Sequence, residues 1–377
     1  MLSYWEQQSF LAYDHIVVGA GIVGLSVAIE LSEKYPGQRI LVLERGLLPT
    51  GASTRNAGFA CMGSPTELLD DLKHMSESDA VALFEKRKQG LEILRKRLGD
   101  DRIGYRANGS YELISHEELS VLDELEYLNQ LLLPVMQKPS YRLANEKIDA
   151  FGFSRAYTKA LIENTCEGEL HTGMLLRALT DYALSRSIEI KTGAKVAAFE
   201  EEGHHVTVLV EDPARNDTLR LNSKTLCICT NAFTSQLLPG EDVVPGRGQV
   251  ILTKPVKDLQ FKGIFHLDKG YYYFREIDGR VLFGGGRNLD FETETTTNFE
   301  QNYLIINKLN NILEEIILPT APFEIDRQWS GIMAFGKQKL PIVKAISGRV
   351  FGAFRMGGMG VALGSKTARE LVALIEP

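Results

Sequence analysis

The spacing of apolar residues near the amino terminus follows a strand pattern first and a helical pattern next. An apolar run over residues 16–18 is interrupted by three glycines, after which apolar residues recur at helical spacing. A second apolar run covers residues 40–43 and ends in Glu44. This pattern predicts a strand, a tight turn, a helix and a second strand, which together form a βαβ unit.

The rest of the chain alternates between helical and strand patterns. Residues 65–147 contain polar amphipathic stretches with one strand-like run between them, and we interpret them as a helical insertion beside the sheet. Residues 170–235 predict a helix, a β-meander and a buried strand. Three strand-like runs over residues 246–285 predict an antiparallel sheet with one hairpin turn. A helix is predicted over residues 299–318, and residues 350–375 predict a strand, a glycine turn and a helix.

Composition narrows the class of protein. The 377 residues are 44% hydrophobic and 24% charged, with a net charge of −7, which is typical of a globular protein with a large core. No run of Lys or Arg is long enough to neutralise a series of phosphates, so nucleic acid is not an expected partner. The sequence shows no export signal and no apolar stretch of about 18 residues, and its four cysteines form no CxxC pair. We therefore expect a cytoplasmic protein without a membrane span.

Gly19, Gly21 and Gly24 form a GxGxxG motif between the first predicted strand and the first predicted helix. The first glycine permits the turn, the second lets a pyrophosphate approach the backbone, and the third lets helix and strand pack closely. Glu44 ends the second strand, where a carboxylate accepts both hydroxyls of an adenosine ribose and disfavours a 2′-phosphate. A chance glycine turn does not account for the strands, the helix and the acid together. The motif therefore predicts dinucleotide binding and disfavours NADP.

A loop over residues 51–60, "GASTRNAGFA", offers the hydroxyls of Ser53 and Thr54 and backbone amides from Asn56 to Gly58. Such a loop suits a pyrophosphate or a flavin ring. An ordinary glycine-rich surface turn explains the same residues at least as well, so both interpretations stay open at this point.

Several segments, taken in chain order, resemble one family. They include "IVVGAGIVGLSVAIEL", "GASTRNAGF", "TNAFT", "WSG" and the final "FGAFRMGGMGVALGSKTARELVALI". Together they are similar to the D-amino-acid oxidase superfamily of FAD-dependent amine oxidoreductases, the group of glycine oxidase and sarcosine oxidase. The resemblance runs from Asp14 to Ile375. Within the superfamily, "YYYFREIDGRVLFGGG" is most similar in pattern to gamma-glutamylputrescine oxidase and its relatives.

The resemblance implies an α/β fold with two parts. A Rossmann-like FAD-binding domain of the glutathione-reductase type would be assembled from residues 1–64, 145–235 and 325–377. Residues 65–144 and 236–324 would form a substrate domain of antiparallel sheet and helices. The reaction would take place where that sheet covers the flavin.

The resemblance also implies noncovalent FAD and the residues that hold it. Residues 357–360 open the final predicted helix, and their amides would face the flavin N1 and O2 edge as an anion site at a helix N-terminus. The complete set of expected cofactor-binding residues is Gly19, Gly21, Ile22, Val23, Gly24, Glu44, Arg45, Ser53, Thr54, Arg55, Asn56, Ala57, Gly58, Val196, Thr230, Asn231, Ala232, Gly331, Arg355, Gly357, Gly358, Met359 and Gly360.

The chain departs from the family's pattern at a few positions. Met333 stands at or next to the position where amino-acid oxidases of this group carry an arginine that clamps the substrate carboxylate. The flavin-linking cysteine of sarcosine oxidases lies near the same position. The linking histidine of related dehydrogenases belongs to the early loop, which here has Arg55 and Asn56. Leu282 stands where the sarcosine branch has an oxygen-activating lysine. The usual clamp is therefore missing, and FAD is expected to be unlinked.

The expected substrate-pocket residues are Tyr271, Tyr273, Arg287, Met333 and Arg355. Tyr271 and Tyr273 share a strand face with Arg275, and we expect one face of that strand to line the pocket while the other packs the sheet. Arg355 is interpreted either as a substrate or flavin contact or as a partner in a structural ion pair. The same two alternatives are open for Arg287.

These features predict an enzyme that oxidises the C–N bond of an amine or amino acid to an imine by hydride transfer to flavin N5, with no side chain required as a base. One alternative is a D-amino-acid or proline-type dehydrogenase with a non-oxygen electron acceptor, and another is a non-catalytic FAD-binding accessory protein. The expected partner is the small-molecule substrate, with a homo-oligomer left open and no metal site expected. Because the clamp is missing at Met333, we favour an amine whose charged end lies elsewhere over an amino acid held by Arg287 or Arg355.

Overall fold

The computed structural model of the protein describes residues 2–212 and 217–376. Residues 1, 213–216 and 377, which fall within the predicted FAD-binding domain, lie outside the described residues. The described part contains two eight-stranded sheets and one two-stranded sheet. No helix in this part is long and apolar enough to cross a membrane.

The strands, numbered in chain order, are β1 (Ala12–Val18), β2 (Ile40–Leu43), β3 (Phe59–Ala60), β4 (Ser110–Ile114), β5 (Tyr141–Leu143), β6 (Ala160–Asn164), β7 (Gly168–Glu169), β8 (Glu189–Lys191), β9 (Val196–Glu202), β10 (His205–Asp212), β11 (Asp217–Ile228), β12 (Val244–Thr253), β13 (Ile264–Leu267), β14 (Tyr272–Ile277), β15 (Arg280–Gly285), β16 (Ile325–Phe335), β17 (Ile342–Ala345) and β18 (Val350–Phe354).

The α-helices are α1 (Tyr4–Phe10), α2 (Ile22–Lys34), α3 (Ala52–Arg55), α4 (Pro65–Asp71), α5 (Glu77–Leu98), α6 (Asp100–Ile103), α7 (Leu125–Met136), α8 (Lys147–Phe151), α9 (Thr172–Ser185), α10 (Tyr303–Ile312) and α11 (Gly360–Ala373). Short 3₁₀ segments cover His116–Glu124, Asn231–Gln236 and Arg287–Leu289, and a π-helical turn covers Leu313–Ile317.

The first large sheet has a parallel centre, in which β1 lies between β2 and β11. Its order is β17-β18-β11-β1-β2-β8, with β10 pairing to β11 and β9 pairing to β10. All of β2 and the last four residues of β1 are buried, as expected of parallel strands that are covered on both faces. The βαβ unit predicted at the amino terminus is confirmed, because α2 connects β1 to its parallel neighbour β2.

Helices α2, α5, α9 and α11 are among those that share one hydrophobic core with this sheet. Ion pairs of Glu30 on α2 with Arg97 on α5 and Arg369 on α11 join three of them. The strands β9 to β11 contribute to a second apolar core together with β1 and β2. The carboxyl ends of the parallel strands remain uncovered by either layer and face the second large sheet.

The second large sheet has the order β16-β12-β15-β14-β13-β4-β6-β5 and is antiparallel except for the β13–β4 pair. One face packs against α10 and a group of phenylalanine rings, of which Phe265 and Phe274 stack with centroids 4.7 Å apart. The other face carries Val250 and Tyr273 and contacts Ala57 of the loop that follows α3 and Phe59 at the start of β3. This second face is the one that meets the first sheet.

Two strands pair in the second sheet although the predicted boundaries placed them in the FAD-binding domain. β6 lies within 145–235 and pairs with β4 and β5, and β16 lies within 325–377 and pairs with β12. The sheets therefore do not follow the predicted boundaries, because the partner of a strand is chosen by long-range register and burial rather than by its own sequence.

Two elements also differ from those that the spacing of apolar residues predicts. β13 has no counterpart among the predicted strands, because its residues are all buried and show no alternation. The helix predicted over 299–318 begins at Tyr303, since the Asn302 side chain accepts a hydrogen bond from the Leu304 amide and caps it.

Candidate functional site

A cavity of about 570 Å³ lies between the two large sheets. Val18, Leu43 and Cys229, at the carboxyl ends of β1, β2 and β11, line one part of it, and Tyr273 and Gly331 of the second sheet line another. Ligands of α/β proteins bind outside the carboxyl ends of parallel strands. The cavity therefore occupies the place where the fold is built to bind a ligand.

The glycine motif shapes the first wall of the cavity. Gly19 has a φ of +103°, and a Cβ there would lie 2.8 Å from the carbonyl oxygen of Cys229. A Cβ on Gly24 would overlap the carbonyl oxygen of Gly19, and one on Gly21 would lie 2.8 Å from Ser53 Oγ. Each glycine is thus required for a close approach. The first residues of α2, Ile22 and Val23, line the cavity next to Gly21, which provides no side-chain cap.

Glu44 and Arg45 lie at the next strand end. Glu44 Oε2 accepts a hydrogen bond from the Ala20 amide at 3.0 Å, and its Oε1 accepts one from the Gly46 amide at 3.0 Å. The Arg45 guanidinium lies 3.6 Å from the centroid of the Phe233 ring, and burial lowers the pKa of Arg45. Val196 lines the same end of the cavity. This end has the donors, acceptors and flat surfaces that an adenosine group requires.

The loop around α3 forms the floor. Ser53 Oγ accepts a hydrogen bond from the Ile22 amide at 3.0 Å, so the loop is fixed to the start of α2. The Asn56 side chain stabilises the turn, accepting from the Gly58 amide at 2.8 Å. Thr54 donates to the carbonyl oxygen of Pro49 at 2.6 Å. Ser53, Asn56 and Ala57 line the cavity, whereas Thr54 and Gly58 support the loop from behind.

Arg55 connects this loop to the second sheet. Its Nη1 donates to the carbonyl oxygen of Ser330 at 2.8 Å, and its Nε donates to that of Thr50 at 2.9 Å. Gly331 follows directly on β16, and a Cβ there would lie 3.2 Å from the Cβ of Arg55. Both residues line the cavity, so the loop around α3 meets the second sheet at this contact.

The remaining cofactor candidates come together from two distant segments. Thr230, Asn231 and Ala232 follow β11, and residues 357–360 lead into α11. Asn231 Oδ1 accepts a hydrogen bond from the Met356 amide at 3.2 Å and joins the segments. Gly357 and Gly358 have φ values of +56° and +83°, which fit glycine. The N-cap of α11 makes no side-chain hydrogen bond, so this helix end offers its amides to an anion.

The other half of the cavity is a chamber with aromatic and apolar walls. Tyr271 and Tyr273 line it, whereas Tyr272 and Phe274 on the opposite strand face are buried in the phenylalanine core. Burial raises the pKa of Tyr273 to about 12, so its hydroxyl is protonated at neutral pH. Met333 also lines the chamber. A Cβ on Gly358 would lie 3.6 Å from Met333 Sδ.

Arg275 shares the strand face of these tyrosines but does not line the chamber. Its Nη1 donates to the carbonyl oxygen of Leu170 at 2.8 Å and to those of Ala57 and Gly58 at 3.3 Å, and its Nη2 lies 3.6 Å from Glu169. Arg275 therefore anchors the floor loop beneath the second sheet.

Arg355 makes a structural ion pair. It is buried, forms a charged hydrogen bond with Asp242, and donates from Nε and Nη2 to the carbonyl oxygen of Leu340 at 3.1 and 2.8 Å. Its backbone φ of +65° is unusual for a residue with a side chain. Of the two interpretations of this residue, the geometry supports the ion pair, although Arg355 also borders the cavity.

Arg287 has a different environment. Its guanidinium carbon lies 5.0 Å from the centroid of the Phe291 ring and 4.4 Å from that of Phe335. Its Nε is buried without a hydrogen-bond partner among the described residues, and burial lowers its pKa. Arg287 lines the chamber and forms no ion pair with a described residue.

His266 is a chamber residue that sequence reasoning does not single out. It is buried on β13 opposite Tyr273, borders the cavity, and has no hydrogen-bond partner for Nε2 among the described residues. Burial lowers its pKa to about 4, so the ring is neutral at physiological pH. The fully buried run "IFHL" carries no local signal that separates this histidine from a core residue.

Comparison with known proteins agrees with this geometry. Residues 14–374 match the DAO family model, described as FAD dependent oxidoreductase. Probable oxidoreductase OrdL of Haemophilus influenzae is 23% identical over 387 residues, which cover 96% of this chain and 82% of the relative. Glycine oxidase from Geobacillus kaustophilus has a similar fold, with a TM-score of 0.76 at 21% identity over 96% of this chain and 94% of that one. L-proline dehydrogenase from P. horikoshii has a TM-score of 0.76 at 17% identity, and the match covers 97% of this chain and 93% of that one.

Proposed function

Because the chain belongs to the DAO family of FAD-dependent oxidoreductases, we propose that it oxidises a C–N bond of a small amine or amino acid to an imine. The observation that carries this proposal is the continuity of the cavity, in which a dinucleotide-binding end passes directly into a chamber with aromatic walls. FAD held by the residues of the first part would supply the oxidation of a substrate held by the residues of the second.

The residues at the first end fit FAD. Gly21 has no side chain and lines the cavity together with Ile22 and Val23, so a pyrophosphate would bind at this start of α2. Glu44 would accept the ribose hydroxyls, and residues 357–360 would direct amides toward the isoalloxazine at the start of α11. When bound, FAD supplies the two-electron oxidation of the substrate. The protein supplies orientation and electrostatics.

The chamber side chains would position the substrate between aromatic walls. Phe59 contacts both Tyr273 and His266 edge to face, with ring centroids 5.7 and 5.1 Å apart. The Tyr273 hydroxyl is protonated and the His266 ring is neutral, so neither of these groups is charged at neutral pH. Uncharged walls at these positions favour the neutral form of the substrate amine over the ammonium form, and the neutral amine is the form that loses hydride from its carbon. The imine product then hydrolyses in water.

The test is anaerobic mixing of the FAD-loaded protein with a panel of amines and amino acids. The proposal expects at least one substrate to bleach the visible flavin absorbance and to release the corresponding carbonyl compound, together with ammonia from a primary amine or an amine from an N-substituted one. A panel that leaves the absorbance unchanged throughout supports the accessory-protein alternative instead.

We further propose that the electron acceptor is not oxygen. Leu282 packs with Ala57 and Val250 in an apolar cluster, at the position where the sarcosine branch of the family carries its oxygen-activating lysine. The neighbouring cation, Arg275, is directed toward backbone carbonyls. With the substrate found in the panel, we expect an artificial dye acceptor to support turnover much faster than oxygen does. Oxygen consumption as fast as dye reduction would contradict this.

A further inference from the structure

Arg287 lies at the end of the chamber beyond Met333. Gly246 and Gly248 of β12 are two residues apart and share one strand face. A Cβ on Gly248 would lie 2.9 Å from Met333 Cε, and a Cβ on Gly246 would lie 2.9 Å from the guanidinium carbon of Arg287. Since residues two apart on a strand are separated by about 6.6 Å, Arg287 stands one strand repeat further along the chamber than Met333.

The absence of a side chain at Gly246 makes this position possible for Arg287. A Cβ on Gly246 would also lie 2.5 and 2.6 Å from two ring carbons of Phe335. Phe335 and Phe291 both contact the guanidinium. The strand backbone and the two rings therefore hold the cation in a fixed place, where cation–π attraction offsets part of its lost hydration.

The acidic side chain whose charge acts on Arg287 already forms an ion pair with another arginine. Burial lowers the pKa of Arg287 by more than the charge of Glu294 raises it. The Glu294 carboxylate is bound by Arg247, whose Nε and Nη2 donate to it at 2.9 and 2.7 Å. That pair is almost fully buried. Within the described part of the chain, Arg287 has two aromatic neighbours and forms no ion pair.

Three of the other cations that border the cavity have an acid beside them, whereas Arg45 and Arg55 contact aromatic rings at the cofactor-binding end and Lys269 is exposed. Arg355 pairs with Asp242, Lys339 pairs with Asp71, and Arg87 lies 3.8 Å from Glu67. A partly desolvated guanidinium without an acid is costly, so its presence in a binding chamber indicates that the missing anion comes from a ligand.

We propose that Arg287 binds a carboxylate of the substrate, and that the substrates are therefore amino acids rather than simple amines. This inference rests on the proposed function and deepens it. One guanidinium presents two parallel N–H donors that match the two oxygens of a carboxylate, while the flanking Phe291 and Phe335 provide no donors for further anionic oxygens. Met333 alone favours an amine, because it leaves the carboxylate clamp missing from β16. Arg287 supplies a clamp from the 3₁₀ segment that follows β15, and an amino acid is therefore favoured instead.

The experiment compares two variants at the site with one control. Arg287→Gln removes the charge, and Gly246→Ala keeps the charge but displaces the guanidinium and the Phe335 ring. Arg327→Gln is the control, because Arg327 is largely exposed on β16 and pairs with Asp326. The FAD-loaded proteins are titrated with acetate, propanoate, acetamide and inorganic phosphate, with flavin absorbance and the midpoint of thermal unfolding as readouts.

We expect the carboxylates to bind wild-type protein and the control, and acetamide to bind neither. Both site variants should weaken carboxylate binding roughly 10- to 100-fold, the size of a charged hydrogen bond. The apparent Kd of the amino acid that reduces the flavin should rise by a similar factor.

Other outcomes separate the two proposals. Reduction of the flavin by a substrate whose affinity is the same in wild type and both variants overturns the role of Arg287 and leaves the proposed function intact. If carboxylate binding depends on Arg287 but no amine or amino acid reduces the flavin, the proposed function is overturned and Arg287 is still an anion-binding residue. Phosphate binding tighter than carboxylate binding overturns the assigned substrate class.

Discussion

At the scale of single residues, Glu44 is already held in position by the fold. Its two carboxylate oxygens accept hydrogen bonds from the Ala20 and Gly46 amides, which directs the group toward the cavity. We expect Glu44→Ala to weaken FAD binding by about 1.5 to 3 kcal/mol, the value of a hydrogen bond to a charged group. The dissociation constant is measured from flavin fluorescence during reconstitution of the apoprotein.

Glu324→Ala is the matched control for that measurement. Glu324 is exposed and pairs with Lys254 at the surface, so its loss is expected to leave FAD binding unchanged. If Glu44→Ala and Glu324→Ala bind FAD equally, the ribose contact has been placed on the wrong residue.

The type of cofactor attachment also depends on individual residues. Met333 stands near the position of the linking cysteine, and the loop around α3 contains no histidine. Cys61 borders the cavity, but burial raises its pKa well above the usual range, so it is a thiol and a poor nucleophile. We expect acid or heat to release unmodified FAD into the supernatant. Flavin fluorescence that stays with the precipitated protein would show a covalent bond.

At the scale of elements, the contact between β1 and α2 depends on Gly24. A Cβ at this position would overlap the Gly19 carbonyl oxygen, and the backbone can relieve the overlap only by moving the start of α2. We expect Gly24→Ala to destabilise the protein by about 1 to 3 kcal/mol and to impair FAD binding. Gly348→Ala is the control, because a Cβ there meets nothing closer than 3.7 Å. Equal urea midpoints for the two variants would contradict the expected packing.

Two buried carboxyl groups connect the segment before α4 to the second sheet. Glu112 on β4 accepts hydrogen bonds from Ser64 Oγ and from the Thr66 hydroxyl and amide. Glu167 accepts from the Met62 and Gly63 amides. Burial raises the pKa of each carboxyl group to about 7, so the folded protein binds more protons than the unfolded chain in the interval between the two pKa values.

The sign of the pH dependence follows from that difference. The stability due to these protons is present below pH about 4.5 and is lost as pH rises through about 7. We expect the free energy of unfolding to fall by about 1 to 3 kcal/mol for each group between pH 5 and pH 8, in urea titrations. Glu112→Gln should reduce that fall, since the amide does not ionise. A variant with the same pH profile as wild type would assign the effect to other groups.

At the scale of the whole molecule, the cavity depends on both large sheets. Residues of the first sheet, such as Val18, and of the second, such as Gly331, line the same space. A ligand that binds there is lost on unfolding and therefore stabilises the folded state. We expect removal of FAD to lower the unfolding temperature, and FAD at about 100 times its Kd to add about 2.7 kcal/mol. Unfolding temperatures that are independent of FAD concentration would contradict binding at this cavity.

Much of the cofactor-binding end follows from the sequence alone. The βαβ unit, the three glycines and Glu44 lie within some 30 consecutive residues, so apolar spacing and the small size of glycine are sufficient to predict them. Tyr271 and Tyr273 lie on one strand face and Tyr272 and Phe274 on the other, as the two-residue period of a strand predicts. These features are local, and the structure has them where the pattern places them.

The substrate end was decided by the tertiary structure. An arginine can bind a ligand anion only if no acid of the protein already pairs with it. For Arg355 that acid is Asp242, which lies 113 residues away in the chain. The pairing of β6 and β16 with the second sheet and the exposure of His266 to the cavity depend on long-range register in the same way. A sequence lists the charged groups, but only the packed chain determines which charges neutralise each other and which, like Arg287, are left for a ligand.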